Sequence, residues 1–200
     1  YQCDWSSDVC SSDLLKIIFD SSPYDIDEEY IKVISEWNNT IFLDLGKHSF
    51  TKSYSLAGQR SMSETFTFIC MLEWFKQQNF VSKRIYKISG RYKLSDDFVL
   101  DDPSFKDAFV FSPPLDSWMF PEQQERAGVN KLYRCRLWHM DYNLLDTFRE
   151  EMKNVFSDCN RYGIDAEHSY YKHLHKYKVV EVPKVGVQGY IAPSGEYIDE

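Results

Sequence analysis

The amino-acid sequence predicts an α/β fold in which a mostly parallel central sheet is flanked by helices. Two observations lead to this prediction. Through the first half of the chain, apolar runs of strand length alternate with segments of helical periodicity. The segment 15–200 is also long enough for one domain with a sizeable core, and it contains no internal repeat and no linker-like stretch.

Residues 1–14 have neither a helical nor a strand period. The string CDWSSDVCSSDL within them resembles a translated short-read sequencing adapter, so we expect an artefactual or disordered tail and exclude it from the fold prediction. On this interpretation the natural N-terminus is missing and the domain is truncated. Without the three aspartates of this tail, the net charge of −8 becomes −5. The three cysteines that remain are far apart, which favours free thiols in a reducing compartment.

Each element is predicted from the spacing of its apolar residues. Strands are expected at 15–20, 40–45, 83–89, 107–112, 132–140, 178–182 and 185–192. Helices are expected at 25–37, 55–79, 142–160 and 165–176. The stretch 112–130 has no period, and an aperiodic stretch of that length in a compact domain is often a functional loop or lid.

Open α/β sheets bind ligands beyond the carboxyl ends of their strands. Three segments occupy such positions, namely 20–22, 89–92 and 165–168. In the first of them, a short apolar strand delivers Asp20 to a loop, so we expect Asp20 to contact substrate.

The segment 89–92 is a candidate binding turn. Gly90 allows the backbone to turn tightly after the strand. Arg91 presents a fork of donors that suits a diphosphate or a carboxylate, and Tyr92 can stack on a ring. The alternative is a simple β-turn whose arginine is solvated or pairs with Asp96 or Asp97.

The segment 165–168 places acidic and imidazole groups at the start of a helix. Asp165 or Glu167 can act as a general base there, and His168 can assist or ligate a metal. The alternative is a helix cap at Asp165 with no chemistry. A three-histidine metal site with His173 and His175 is disfavoured, because residue 173 lies off the helix face that the other two share.

The segment 53–65 places Arg60 and Glu64 near a helix start, which is a natural anion site. The alternative is an ordinary helix N-terminus. Glycine-rich phosphate loops, the nucleophile-elbow pattern and the Cys-x-x-Cys pattern are absent from the sequence, and the surroundings of the cysteines do not favour a thiolate nucleophile.

Taken together, these segments resemble a divergent family of GT-A-type glycosyltransferases that use nucleotide-sugar donors, many of them bacterial or viral and uncharacterised. LKIIFDSSP resembles the second strand of the family and its acidic turn, and KSYSLAGQRSMSET resembles the loop and helix that follow. RIYKISGRYKLSDDF resembles the strand that normally ends at the metal motif. DAEHSYYKHL and VGVQGYIAPSGEY resemble the C-terminal acidic helix and the closing strands.

The resemblance implies a GT-A-like, Rossmann-like fold and the transfer of a sugar from a nucleotide-sugar to a glycan or lipid-linked acceptor, as in polysaccharide biosynthesis. It makes Asp165 or Glu167 the base for the acceptor hydroxyl and His168 a metal ligand or a phosphate contact. The same chemistry gives Arg91 a role in stabilising the leaving diphosphate.

The chain departs from the family at the metal motif. GT-A enzymes usually hold Mn²⁺ or Mg²⁺ with Asp-x-Asp, and this chain has Ser89-Gly90-Arg91 at that strand end. Either Arg91 supplies the positive charge instead of a metal, or Asp96 and Asp97 fold back to hold one.

Two other classes of function compete with a glycosyltransferase. One is a non-catalytic carbohydrate- or nucleotide-binding module of the same fold, and the other is a structural protein whose aromatic residues fill a core. The acidic balance argues against nucleic acid as a partner. No apolar run approaches the roughly 20 residues of a membrane helix. We expect a cytoplasmic protein, with the inner face of a membrane as a further place of work.

Overall fold

The structure is a computed structural model that describes residues 15–90, 92–191 and 194–200. The predicted N-terminal tail and Arg91, the predicted diphosphate clamp, lie outside the described residues. The described chain divides into two compact units, residues 15–80 and residues 81–200. The expectation of one glycosyltransferase-like domain stays a prediction.

The first unit begins with a βαβ motif, as the alternating pattern predicts. Strand β1 (Lys16–Asp20) and strand β2 (Thr40–Asp44) pair in parallel, and helix α1 (Glu28–Ser35) connects them. Asp27 caps α1 by accepting a hydrogen bond from the backbone N–H of Glu29 at 2.9 Å.

Two helices complete the first unit, α2 (Ser49–Leu56) and α3 (Arg60–Gln77), where the sequence predicts one long helix over 55–79. The helices pack against each other through buried hydroxyl groups as well as apolar side chains. The hydroxyls of Ser55 and Ser63 lie 2.5 Å apart, and Thr67 donates to the Ser63 carbonyl at 2.7 Å. These hydroxyl groups can be buried because each of them has a hydrogen-bond partner within the unit.

The second unit contains most of the strands. They are β3 (Arg84–Ile88), β4 (Tyr92–Leu94), β5 (Phe109–Phe111), β6 (Leu115–Asp116), β7 (Lys131–Leu132), β8 (Leu137–Asp141), β9 (Val179–Glu181), β10 (Val187–Tyr190) and β11 (Tyr197–Asp199). Its helices are α4 (Pro121–Ala127), α5 (Leu145–Tyr162) and α6 (Ala166–Leu174), with short 3₁₀ turns at Pro103–Phe105 and Tyr142–Leu144.

Strand β8 lies inside the largest sheet of the second unit, which has the order β3-β8-β5-β9. All five residues of β8 are buried. It runs antiparallel to both neighbours, whereas β5 and β9 are parallel. Strands β11, β10 and β4 form an antiparallel sheet, and β6 pairs with β7.

The predicted mostly parallel central sheet, with its GT-A-like and Rossmann-like arrangement, is therefore wrong. Within the described residues, only the β1–β2 sheet is wholly parallel, and the others are mixed or antiparallel. A parallel neighbour requires a crossover connection, usually a helix. Helix α1 is such a connection between β1 and β2, whereas β3 and β8, which are distant in the sequence, pair antiparallel.

The core of the second unit is largely aromatic. Trp138 packs against Phe148 of α5 with ring centroids 4.9 Å apart, and Phe111 stacks on Tyr133 at 4.5 Å. Burial of these large rings is the main favourable contribution to folding of the unit. The cysteines of the described chain are free, as predicted. None of the described helices combines the length and the apolar composition needed to cross a bilayer.

His139 is a buried imidazole on β8. Its ring lies between the rings of Tyr86 and Phe105, with centroid distances of 5.0 and 4.9 Å, and its Nδ1 is 3.4 Å from Nη1 of Arg84. Burial, reinforced by the Arg84 charge, lowers the pKa of His139 from 6.5 to about 3, although Asp101 opposes the shift. The folded protein therefore holds this ring neutral.

We expect acid to destabilise the fold through His139. Between pH 6.5 and about 3 the unfolded chain binds a proton at this residue that the folded chain does not, so stability falls as the pH falls through this window. The loss is on the order of 4 kcal/mol when complete. Urea unfolding at a series of pH values measures it.

The variant His139→Gln should show a shallower fall in stability over this range than the wild type, and a change at the exposed His175, His175→Gln, should leave the slope unaltered. An identical pH dependence in the wild type and His139→Gln would contradict the expectation.

Candidate functional site

The N-terminal turn of α6 is organised around the fully buried ring of His168. Asp165 caps the helix, and its Oδ1 accepts from the backbone N–H of His168 at 3.0 Å and from ring atom Nδ1 at 2.6 Å. On the other side of the ring, Nε2 lies 2.8 Å from the hydroxyl of Ser117. The neutral ring with its proton on Nδ1 satisfies every one of these groups, with Ser117 donating to Nε2.

Local sequence explains why α6 begins at this point. Gly163 ends α5 in the left-handed conformation, with φ of 66°, and the buried Ile164 follows it. Asp165 is then extended and has a short acceptor side chain, which is the requirement for an N-cap. The predicted cap is confirmed.

Ser117 belongs to the connection between β6 and α4. Its backbone N–H donates to the carbonyl of Asn130 at 2.9 Å, and its hydroxyl accepts from the N–H of Met119 at 3.0 Å. The predicted aperiodic loop 112–130 therefore contains strand β6, which pairs with β7 just beyond it, and helix α4. Ser117 connects this loop to the α6 terminus.

Asp165 has one carboxylate oxygen available. Its Oδ1 is occupied by two N–H groups, but among the described residues Oδ2 has no hydrogen-bond or ion-pair partner. The side chain is 31% exposed, so a ligand can approach this oxygen. The site thus presents an oriented carboxylate with a free acceptor.

An exposed tryptophan packs against the ring of His168. Trp118 meets the ring of His168 edge to face, with centroids 4.9 Å apart and an interplanar angle of 81°, and 63% of its surface is exposed. Trp118 and Asp165 therefore contact the same imidazole.

Glu167 links the α6 terminus to the end of β3. Its backbone carbonyl accepts from the N–H of Tyr133 at 3.1 Å, and its Oε1 accepts from the N–H of Cys135 at 3.2 Å. The carbonyl of Cys135 in turn accepts from Nζ of Lys87 at 2.6 Å and from the hydroxyl of Ser89 at 3.3 Å. Ser89 and Glu167, which belong to the predicted site segments 89–92 and 165–168, are thus both hydrogen-bonded to the backbone of Cys135.

Two arginines lie on either side of Cys135. Arg134 and Arg136 both donate to the same oxygen of Glu200, so among the described residues one side-chain carboxylate is shared between two guanidinium groups. The guanidinium of Arg136 also lies 5.8 Å from the ring centroid of Tyr92. Tyr92 is buried in an apolar cluster, which leaves little of its ring for the predicted stacking on a ligand.

The remaining residues predicted in this unit are exposed. Gly90 does not adopt a positive φ, and a Cβ there would meet no atom within 4 Å, so the turn itself does not demand glycine. Asp97 pairs with Lys184 at 2.9 Å, and Asp96 is exposed. These contacts do not connect either aspartate to the α6 terminus.

The predicted metal ligands do not fit a common site as they are arranged. Both ring nitrogens of His168 have protein partners, and Asp97 is neutralised by a lysine. In the part of the chain that the structure describes, no group of three or more His, Cys, Asp or Glu side chains is arranged so that it could hold a metal ion. Dependence on Mn²⁺ or Mg²⁺ stays a prediction.

The other predicted contacts lie in the unit 15–80. Asp20 ends β1 opposite Asp44 of β2, and its Oδ2 accepts from the N–H of Ser22 at 3.0 Å. Burial raises the pKa of Asp20, and the charge of Asp44 adds to this. Arg60 begins α3, with Glu64 exposed one turn later. Their predicted substrate contacts stay predictions.

The sequence did not single out Ser117, Trp118, Cys135, Arg134 or Arg136. The first two lie in the aperiodic stretch that was expected to be functional, and this was their only signal. The arginines alternate in an extended segment, a pattern that indicates a shared face but not a ligand.

No protein-family model matches the chain, and comparison with curated proteins and with solved structures gave no match. The resemblance to glycosyltransferases therefore stays a prediction.

We expect Ser117→Ala to destabilise the protein by about 1–3 kcal/mol, because it leaves the buried Nε2 of His168 without a hydrogen-bond partner. Urea unfolding at neutral pH measures the change. The matched control is Ser104→Ala, which removes an exposed hydroxyl that contacts Asp102 and should change stability by less than about 0.5 kcal/mol. Equal effects of the two substitutions would show that the Ser117–His168 contact contributes nothing particular.

Proposed function

We propose that the protein transfers a glycosyl group from a nucleotide-sugar donor to a hydroxyl of a glycan or lipid-linked acceptor, with Asp165 as the general base. The observation that supports this most directly is the carboxylate of Asp165. One of its oxygens is held by two N–H groups of His168, and the other has no partner among the described residues, on a side chain that is 31% exposed.

In this reaction the bond between the anomeric carbon and the diphosphate oxygen breaks, and the nucleoside diphosphate leaves with the electron pair. A bond forms between the anomeric carbon and the acceptor oxygen. The proton of the acceptor hydroxyl passes to Oδ2 of Asp165, and such proton transfer typically contributes 10²–10⁴-fold. His168 is a positioning residue, because it orients the carboxylate from the opposite side.

Asp165 is a better candidate for the base than Glu167. Oε1 of Glu167 already accepts from the backbone of Cys135, and its main chain anchors Tyr133. These contacts suit a residue that holds the α6 terminus against the segment 133–136.

The leaving diphosphate requires positive charge. Arg134 and Arg136 share the side-chain carboxylate of Glu200, and Nζ of Lys87 on β3 donates to the carbonyl of Cys135, which lies between the two arginines in the chain. Guanidinium groups suit phosphate because their donors form a planar fork. On this proposal Arg91 adds to that charge, and Ser89 and Gly90 contact the phosphate.

Asp165→Asn tests the base. We expect kcat to fall by about 10²–10⁴-fold while the protein stays folded, since asparagine caps helices as well as aspartate does. Release of nucleoside diphosphate from UDP-, GDP- or CDP-sugars in the presence of a glycan acceptor measures turnover. The matched control is Asp27→Asn, which changes the corresponding cap of α1 and should leave turnover unaltered.

Glu167→Gln keeps an oxygen for the N–H of Cys135 and should cost less than about tenfold in kcat. If Glu167→Gln abolished turnover and Asp165→Asn did not, the base would be Glu167. If the protein bound donor but the wild type released no diphosphate, it would be a binding module and the proposed reaction would be wrong.

Donor binding is measurable without an acceptor. A nucleoside diphosphate at about 100 times its dissociation constant should add roughly 2.7 kcal/mol of stability, a rise of several degrees in Tm. Melting curves with UDP, GDP and CDP, with and without Mn²⁺, identify the nucleobase of the donor and show whether donor binding requires the metal. The double variant Arg134→Ala, Arg136→Ala should lose the shift, and a shift of wild-type size in that variant would contradict the role of the arginines.

A further inference from the structure

We propose that Trp118 is the platform on which a sugar ring of the acceptor stacks, which makes the acceptor a neutral glycan presented to Asp165. This inference rests on the proposed function, because it assigns the acceptor side of the same site. Trp118 takes no part in the proton transfer or in the departure of the diphosphate, and the inference assigns it a neutral glycan as its ligand.

Trp118 is exposed and yet held in place. Its edge-to-face contact with His168 fixes it against a ring that is itself hydrogen-bonded on both sides. The loop is braced next to it, where Nε2 of Gln124 donates to the carbonyl of Met119 at 2.7 Å and the N–H of Met119 donates to Ser117. A ligand that stacks on Trp118 therefore meets a preorganised surface and orders little of the protein on binding.

A pyranose ring has a face of C–H groups and a rim of hydroxyls. The indole of Trp118 suits the apolar face, and the free Oδ2 of Asp165 suits a hydroxyl on the rim, because a carboxylate accepts from hydroxyl donors. Trp118 and Asp165 both contact the imidazole of His168. On this proposal a sugar stacked on the indole turns a rim hydroxyl toward Oδ2 of Asp165. An aromatic surface with a few convergent polar groups is the usual form of a small-ligand site.

The loop that carries Trp118 continues into a shallow depression of about 370 Å³ along α4. Polar side chains line part of it, among them Gln124, Glu125 and Asn130. Further sugar units can hydrogen-bond to these groups, which suits an oligosaccharide better than a single ring.

Charge favours a neutral glycan over an anionic lipid surface. Acidic side chains outnumber basic ones in the segment 115–131, with Asp116, Glu122 and Glu125 against Arg126 and Lys131. Asp165 adds a further negative charge at the loop. This small excess of negative charge provides no attraction for anionic headgroups, whereas hydroxyl groups donate to carboxylates.

The test uses the full chain with three neutral probes: cellohexaose, maltohexaose and the hexamer of N-acetylglucosamine. Saturation-transfer NMR should detect binding of at least one of them. Trp118→Ala should weaken that binding by about tenfold, and Trp118→Tyr, which keeps an aromatic face, should restore most of it. The matched control is Tyr190→Ala, which removes a ring that is 64% exposed and also makes an edge-to-face contact, with Tyr197.

Absence of binding for all three probes would overturn the inference, as would equal affinity for the wild type and Trp118→Ala. Sedimentation with phosphatidylcholine vesicles that contain phosphatidylglycerol is the further arm. Vesicle binding that depends on Trp118, without sugar binding, would assign the loop to a membrane and overturn the inference.

The two proposals fail in different ways. Turnover that requires Asp165, together with an unchanged acceptor KM in Trp118→Ala, would leave the proposed function standing and remove this inference. Sugar binding that requires Trp118, without any release of nucleoside diphosphate, would remove the proposed function and leave Trp118 as a sugar-binding surface.

Discussion

The imidazole ring of His168 is buried out of water, and each of its nitrogens therefore needs a hydrogen-bond partner. Asp165 supplies one from within the same helical turn, and Ser117 supplies the other from a loop about 50 residues earlier in the chain. This single requirement fixes the start of α6, the position of the loop and the place of Trp118. It also consumes one oxygen of Asp165 and leaves the other open, which gives the site its acceptor.

A second constraint comes from the extended segment 133–141. Its C-terminal part is β8, whose burial at the centre of a sheet anchors the whole segment. Its N-terminal part carries Arg134, Cys135 and Arg136, and the backbone of Cys135 joins the ends of β3 and α6. The ends of β3 and α6 hydrogen-bond to the backbone of Cys135, which leads directly into the buried strand β8. The positions of these two ends therefore depend on the core rather than on a flexible loop.

Local signals in the sequence predicted the elements well and their arrangement poorly. The cap at Asp165 was predictable because capping depends on a few neighbouring residues, here Gly163 and the short carboxylate side chain. Helix α2 was missed, and the helix predicted over 55–79 begins five residues before α3, across the positive φ of Gly58. Helix α4 was missed because seven residues give almost no periodicity to detect.

The parallel sheet was a wrong inference from a correct observation. Alternation of strands and helices does produce a parallel pair where a helix connects the strands, as β1, α1 and β2 show. Beyond residue 81 the order of strands in space departs from their order in the chain, with β8 between β3 and β5. Pairing of that kind depends on contacts between residues some 50 positions apart, and a local pattern contains no record of them.

The sequence by itself determined the strands β1, β2, β3, β5, β9 and β10, the helices α1, α5 and α6, the free thiols, and the presence of acidic and imidazole groups at one helix start. Each of these follows from short-range sterics, capping or side-chain chemistry. Only the tertiary structure decided which oxygen of Asp165 lacks a partner, that Ser117 and Trp118 both contact His168, and that Tyr92 is buried in an apolar cluster. The reason is that hydrogen-bond partners and exposure are properties of packing between distant segments, and these exist only once the chain has folded.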